Sequence, residues 1–462
     1  MRATFHVKSL TLAIAALSVA SMGHAAGLDR SGQEIKGFFN PGTYAEVDFA
    51  YIDTEVSVYD NAGAIRTSPT TEIRNGITST EDAYEKGVST GNATPDAYTF
   101  MRYGVKADVN ENISIGVFYD EPFGAEVEYS GDNTFVSKAG KPTIADSSTG
   151  TSVPNEVINS SVLDPNYNKN TKVSVHTESW TGLLGYKSNG FQVYGGPVIQ
   201  KAKADVHLRG QAYGPLTGYD ANVNTDTDYG WVAGVAYSKP EIALKAALTY
   251  RSEIEHNTAI NERVPLLNSP LKGIALRKLG IDPNSELGQS IGEYATTDAS
   301  VTTPESVNLN IETGLSQKYQ LLGTLDVRWV PWSDFSIVPP LYNAYSKAAE
   351  PEGLPLLSYD KDQWKVDVGL AKRFNEKLAG SVVVGYDSGA GDPVSSLGTI
   401  DGYYSIGGGV KYNVTPEWAV SVGGKYLKFG DATGQLPNGS IVSKAEDNDG
   451  YIAGVKLSYQ SQ

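Results

Sequence analysis

The chain has 462 residues, with 37 Lys or Arg against 53 Asp or Glu and a formal net charge of −16. That acidic balance argues against a surface built to neutralise phosphates, so no nucleic-acid partner is expected. Cysteine is absent, which rules out disulfides and thiolate metal centres and leaves one large hydrogen-bonded structure to hold the protein together.

Arg2, His6 and Lys8 precede an apolar run from Leu10 to Ala20, and Gly23-His24-Ala25 then places small residues around a cleavage point. Residues 1–25 therefore read as a secretory signal peptide cut after Ala25. The apolar run is about half of what a spanning helix requires, and no later stretch is long enough to be one. Residues 26–42 contain Gly27, Gly32, Pro41 and Gly42 and show no strand periodicity.

From Thr43 to the C-terminus the chain repeats period-two segments, the mark of strands with unlike faces. Ala45, Val47, Phe49 and Tyr51 alternate with Glu46 and Asp48, and Tyr451, Ala453, Val455, Leu457 and Tyr459 alternate with Gly454, Lys456 and Ser458. Twelve more such segments begin near Tyr98, Ile113, Lys172, Phe191, Tyr229, Ile242, Ser306, Tyr319, Gln363, Leu378, Thr399 and Trp418. The expected fold class is all-β: an antiparallel transmembrane barrel of fourteen strands over residues 43–462, an even number as bacterial single-chain barrels require.

The connections carry the strongest signal. Asn110-Glu111-Asn112, Ser188-Asn189-Gly190, Lys239-Pro240-Glu241, Ser316-Gln317-Lys318 and the links around Asn375 and Thr415 are tight. Each is followed by a longer link, near 59–95, 130–171, 212–227, 257–305, 338–362, 388–398 and 428–448. Short periplasmic turns alternating with long extracellular loops belong to an outer-membrane barrel. One face carries Leu321, Leu325, Val327, Trp329, Trp418, Val420, Val422 and Tyr426, fit for lipid. The other carries Arg102, Lys106, Asp108, Lys245, Arg251, Glu253, Asp326, Arg328, Lys365, Asp367, Lys411, Lys425 and Lys456, charges that a lumen tolerates and lipid does not.

Catalytic motifs are missing. There is no G-x-S-x-G elbow, no H-E-x-x-H and no P-loop, and the histidines left after signal removal, His176, His207 and His256, are scattered. Glu446-Asp447-Asn448-Asp449-Gly450 lacks the twelve-residue calcium-loop pattern and reads as a solvated loop. No enzyme activity, catalytic residue, metal or cofactor is expected.

An ordered set of segments then resembles the FadL family of outer-membrane long-chain fatty-acid transport proteins. It runs through Pro304-Glu305-Ser306, the strand Leu321 to Val330, Trp332-Ser333-Asp334-Phe335, Gly385-Tyr386-Asp387, Leu397 to Tyr403, and Lys425 to Ala432. At the start, Gly27 to Gln33 and Asn40-Pro41-Gly42 are similar to the family's N-terminal plug. The resemblance implies a hatch at 26–42, with Asn40, Pro41 and Gly42 in its final stretch, and a kinked third strand that opens the wall sideways. Here that strand reads Tyr119-Asp120-Glu121-Pro122-Phe123-Gly124-Ala125, and Pro122 and Gly124 suit a bend at Phe123 because proline cannot donate to the ladder.

The long loop after the seventh strand is apolar for an exposed segment, which marks either an interaction site or a lid packed on the barrel rim; the resemblance implies a ligand groove there, at Leu266, Leu267, Leu271, Ile274 and Leu276. Lys272, Arg277 and Lys278 beside them are candidates to attract a carboxylate. The expectation is a monomer in the outer membrane of a Gram-negative bacterium that takes up hydrophobic small molecules, long-chain fatty acids or hydrocarbons, with outer-membrane lipid and lipopolysaccharide around it. A general porin for small polar solutes and an outer-membrane lipid hydrolase are the rival readings.

Overall fold

The computed structural model describes residues 28–60, 90–94, 98–131, 133–137, 142–146, 151–154, 170–268, 272–278, 280–347 and 351–461; the expected signal peptide, Leu271 and the side chain of Lys278 lie outside the described residues. Fourteen strands form the barrel. They are β1 (Tyr44–Glu55, continued by Ser57–Asp60), β2 (Thr90–Thr94 and Tyr98–Asp108), β3 (Ile113–Asp120 and Gly124–Gly131), β4 (Lys172–Ser188) and β5 (Phe191–His207). Then come β6 (Asp220–Lys239), β7 (Leu244–Arg251 and Ile254–Arg263), β8 (Tyr294–Thr303 and Ser306–Ser316), β9 (Leu321–Val330) and β10 (Gln363–Arg373). The last four are β11 (Leu378–Asp387), β12 (Tyr403–Asn413), β13 (Trp418–Phe429) and β14 (Asp449–Gln460).

Every neighbour in this wall is antiparallel, and β1 pairs with β14 from Tyr44 opposite Gln460 to Glu55 opposite Asp449. The barrel is therefore closed, which satisfies the backbone groups that lipid could not. Alternation along each strand does the rest. Val382, Ile406 and Val422 face outward and are exposed, while Ser381, Ser405 and Ser421 on the same strands face the lumen and are buried.

Two aromatic belts mark the membrane boundaries. The lower one includes Phe191 against Tyr237 and Trp418 against Tyr459. The upper one runs through Tyr103, Tyr119 and Trp180, then Trp231 with Tyr250, Trp329 with Trp364, Tyr386 with Tyr404, and Tyr426 with Tyr451.

The strands expected from sequence are all present, but several rise further than the sequence suggested. β6 begins at Asp220, and β7 and β8 extend to Arg263 and from Tyr294. Above the upper belt the outer face meets water, so segments such as Asp220-Ala221-Asn222-Val223-Asn224-Thr225-Asp226 lose the apolar alternation that marks a lipid-facing strand. Glu253, expected in the lumen, is exposed on the outside, at a break between the two halves of β7.

Inside the lower barrel the remaining charges pair. Arg102 lies 3.0 Å from Asp48, Lys456 3.5 Å from Asp48, and Lys425 2.9 Å from Asp367. The pairs to Asp48 tie neighbouring strands, while Lys425 on β13 reaches across the lumen side to Asp367 on β10.

Candidate functional site

The first described residues lie within the lumen. The stretch from Leu28 to Gln33 is buried throughout. Arg328 on β9 donates from Nε and Nη2 to the two carboxylate oxygens of Asp29, both at 2.8 Å, a fork-on-fork contact between buried groups. Asn308 Nδ2 donates to the Gly32 carbonyl at 2.8 Å, Ser306 Oγ to Gln33 Oε1 at 2.7 Å, and Ser31 Oγ to Asp120 Oδ2 at 3.0 Å. Lys36 lies 2.8 Å from Asp326. Burial works against its ammonium, yet Asp326 and Glu34 hold its pKa above the ordinary lysine value.

Below this polar stretch the segment turns apolar. Ile35 and Phe38 are buried with Phe118, Leu183, Tyr194, Val198 and Val232 from the wall. A 3-10 turn, Lys36–Phe39, sets Phe38 against Tyr194 with ring centroids 5.8 Å apart. Asn40, Pro41 and Gly42 sit lower still, at the periplasmic strand ends. Lys106 Nζ donates to the carbonyls of Asn40 (2.7 Å) and Gly42 (2.9 Å), and Gln460 Nε2 to that of Pro41 (3.3 Å).

β3 breaks where Pro122 stands. On one side, β3 pairs with β4 up to Asp120 opposite Ser179 and resumes at Gly124 opposite His176, so Glu121, Pro122 and Phe123 face only Thr177 and Glu178. One residue is in excess, and the strand bends. On the other side the ladder to β2 stops at Tyr103 opposite Tyr119 and returns only at Thr94 opposite Glu128. Within that gap the wall has no backbone ladder among the described residues.

The N-terminal segment supplies the missing partners from inside. Arg30 N donates to the Pro122 carbonyl at 2.8 Å, and Gly124 N to the Leu28 carbonyl at 2.7 Å. Arg30 Nη1 reaches Glu121 at 3.3 Å, and the Glu121 carboxylate also accepts the Met101 N–H of β2. The Arg30 guanidinium lies against Gly124, where a Cβ would be 2.7 Å from Arg30 Cζ and would push that side chain aside.

Above the polar stretch is a narrow cavity of about 40 Å³. Leu28 and Phe123 line it, together with Val175, Ala202, Ala204, Val223, Val301, Trp332, Phe335 and Ile337. Trp332 is fully buried, 5.6 Å from the Phe123 ring and 5.2 Å from Phe335, and its indole N–H donates to Gln363 at 2.7 Å. Asp226, His256 and three threonines are the polar side chains among the inward lining. Lys203 also borders the cavity, but it lies between the inward-facing Ala202 and Ala204 on the opposite face of β5 and is exposed. The sequence patterning singled out none of the upper-lumen aliphatics. The available signal was that inward positions on the upper halves of strands are aliphatic, where those on the lower halves are charged.

The extracellular cap covers this cavity. Leu266 and Leu267 lie in a 3-10 turn, Pro265–Asn268, and Leu276 lies in helix α1, Lys272–Lys278. All three are buried, so among the described residues of the expected groove Leu266, Leu267 and Leu276 are packed into the cap and Ile274 is half-exposed. The physical reason is that apolar groups in a loop this long can bury one another before any ligand arrives. Lys272 Nζ donates to the Ile291 carbonyl at 2.7 Å, and Arg277 is exposed. Helix α2, Glu286–Ser290, follows, and the loop after β9 forms α3, Pro340–Ser346, whose Leu341 and Tyr342 N–H groups donate to Glu262 at 2.7 and 2.8 Å.

A closed barrel with lipid-facing aliphatics, an apolar upper cavity and an occupied lumen defines an outer-membrane channel for hydrophobic compounds. The chain belongs to the outer membrane protein transport protein family (OMPP1/FadL/TodX), whose model matches residues 212–460. No curated protein matches it in sequence. Among solved structures it is similar to a FadL homologue of Pseudomonas aeruginosa, at 14% identity over 99% of each chain and a TM-score of 0.61. It is also similar to the Pseudomonas putida toluene transporter TodX, at 10% identity over 96% of each chain and a TM-score of 0.53. The Ralstonia pickettii toluene transporter TbuX gives 10% identity over 96% of this chain and 98% of that one, with a TM-score of 0.52. At these identities the structural likeness speaks for the fold. The family places the protein in the outer membrane of Gram-negative bacteria as a transporter rather than an enzyme.

Proposed function

We propose that the protein takes up long-chain fatty acids, receiving them beneath the extracellular cap, holding them in the apolar upper cavity and releasing them sideways into the bilayer through the break between β2 and β3. Residues 28–42 act as the plug. The observation that carries the reading is the meeting of Leu28 and Phe123 in the lining of one cavity. The cavity thus touches both the plug and the kink, while the way down is filled by the polar stretch and Phe38. A sideways exit keeps an acyl chain out of water, and each methylene kept buried is worth about 0.8 kcal/mol.

A second reading, uptake of uncharged aromatic hydrocarbons, is favoured by one feature: no Lys or Arg side chain among the inward lining residues is placed to meet a carboxylate. Uptake of labelled oleate and labelled toluene, in cells lacking their own transporter, separates the two. We expect oleate uptake that is lost when the Pro122 to Gly124 bend is straightened by P122A/G124A and that loses its control when residues 26–42 are deleted. No uptake of oleate by the intact protein would sink the fatty-acid reading.

A further inference from the structure

The wall lapses a second time, on the side away from β3. β6 and β7 pair from Lys239 opposite Leu244 up to Val232 opposite Arg251, and again from Val223 opposite Ile260 to Asp220 opposite Arg263. Between these blocks Asn224 to Trp231 and Ser252 to Ala259 form no ladder pairs. The register is the same above and below, but within the lapse β6 carries one residue in excess against β5, where Asn224 and Thr225 face Lys203 alone, so the β6–β7 ladder is interrupted by a local irregularity. Their outer partners stay in place, with Tyr229 opposite Ile199 on β5 and Ile254 opposite Thr303 on β8. At the foot of this seam β7 and β8 also lose each other, where Ser252-Glu253 meets Pro304-Glu305 and Pro304 has no N–H to give.

Side chains hold the seam instead of a ladder. His256 Nδ1 lies 3.2 Å from Asp226 Oδ2, Thr258 Oγ1 donates to the Asn224 carbonyl at 3.1 Å, and Asn261 Nδ2 donates to Asn224 Oδ1 at 2.9 Å. The other His256 nitrogen is 3.0 Å from Gln200 Oε1. Only at the foot does backbone help, where Ser252 N donates to the Trp231 carbonyl at 3.0 Å and Trp231 N to Ser252 Oγ at 3.0 Å.

A cleft of about 510 Å³ lies against the outside of this seam. Tyr229, Trp231 and Tyr250 of the upper aromatic belt form its floor, with the Trp231 and Tyr250 rings 5.1 Å apart. Pro304 and Phe335 line both this cleft and the lumen cavity, so the two spaces abut across them. The cleft also carries Glu253, Glu305 and Asp334. Carboxylates around an aromatic floor repel an anionic head group and leave uncharged apolar molecules as the fitting guests.

We infer that the β6–β7 seam is a second side passage, through which neutral hydrophobic molecules already dissolved in the outer leaflet enter the upper cavity past Phe335. The inference rests on the reading of that cavity as the transport site. Opening requires exchange of a few side-chain hydrogen bonds at the height of the lipid head groups, where water can replace them, rather than rupture of a buried ladder. Anionic acyl chains, turned away by the three carboxylates, enter from above.

The chain has no cysteine, so a disulfide across the seam is unambiguous. The paired variant N224C/N261C, at two positions outside the cavity lining, locks its upper end, and D226C/H256C, whose residues line the cavity, locks its middle and is read only against its own reduced form. Each is assayed in whole cells for uptake of labelled toluene and labelled oleate, oxidised and then reduced, beside the wild-type protein. Oxidation should slow toluene uptake at least fivefold and oleate uptake less than twofold, with reductant restoring both. Wild-type uptake of toluene that persists unchanged in the oxidised variants overturns the passage and leaves the cavity reading intact. A wild-type protein that takes up neither compound overturns both.

Discussion

The upper and lower stretches of the N-terminal segment inside the lumen are held by different means. From Asp29 to Glu34 the hold is polar: a fork from Arg328, amide contacts from Asn308 and Asn310, and hydroxyls from Ser306 and Ser31. From Ile35 to Phe39 it is mainly packing, with Phe38 fully buried among Phe118, Leu183 and Tyr194, and Lys36 adding one ion pair to Asp326. A polar hold is directional and can be handed to water when the segment shifts. An apolar seat has no such substitute, since leaving it exposes rings. On the proposed reading of this segment as a plug, the difference gives movement to the upper stretch, which borders the upper cavity, and anchorage to the lower one.

The comparison breaks most readily at Arg328. R328L leaves the buried Asp29 carboxylate without its cation, a change that costs about 3–5 kcal/mol when one partner of a buried pair is removed. The upper stretch should leave its site, raising ion conductance in planar bilayers while the barrel stays folded. D29L/R328L, which removes both charges, should recover part of the closure; a double variant as leaky as the single one would mean that the pair does not hold the plug. F38A tests the anchor. Truncating a buried Phe costs about 3–5 kcal/mol before the cavity relaxes, and part of that is regained because Phe39 and Tyr194, with centroids 5.2 Å apart, can close in. The expected outcome is faster proteolysis of the plug in detergent with near-normal uptake, whereas R328L changes uptake first.

The wall was readable from the sequence because lipid writes a period of two onto every strand it touches. β9 shows the rule, with Leu321, Leu325, Val327 and Trp329 outward and Asp326 and Arg328 inward. Where the outer face meets water, as at the head of β6, the pattern fades and strand ends were placed short. At Pro122 the sequence leaves two readings, a bend in β3 or its outer end, because proline withholds its ladder donor in both. The contacts that make the plug were not legible, because Asp29 and Arg328 are 299 positions apart and neither spacing nor composition ties them. The cap shows a related limit. An apolar face on α1 is visible in sequence, but whether Leu276 meets ligand or its own loop depends on what folds against it.

The same long-range logic explains the residues beyond the last aromatic, which the strand pattern left without a role. Ser461 N donates to the Thr43 carbonyl and Thr43 N to Ser461 Oγ, both at 2.8 Å, so the end of the chain fastens the point where the plug becomes β1. Gly42 makes the turn possible. Its φ is +71°, and a Cβ there would lie 2.6 Å from Ser461 Oγ. G42A therefore meets a left-handed backbone penalty of about 1–2 kcal/mol and pushes Ser461 aside. Because this joint lies below the Phe38 seat, the effect should stay local. We expect a small drop in the temperature at which the folded band is lost on gels, with conductance and uptake unchanged. G42A that opened the channel as R328L does would place the moving part of the plug at its lower end and reverse the comparison.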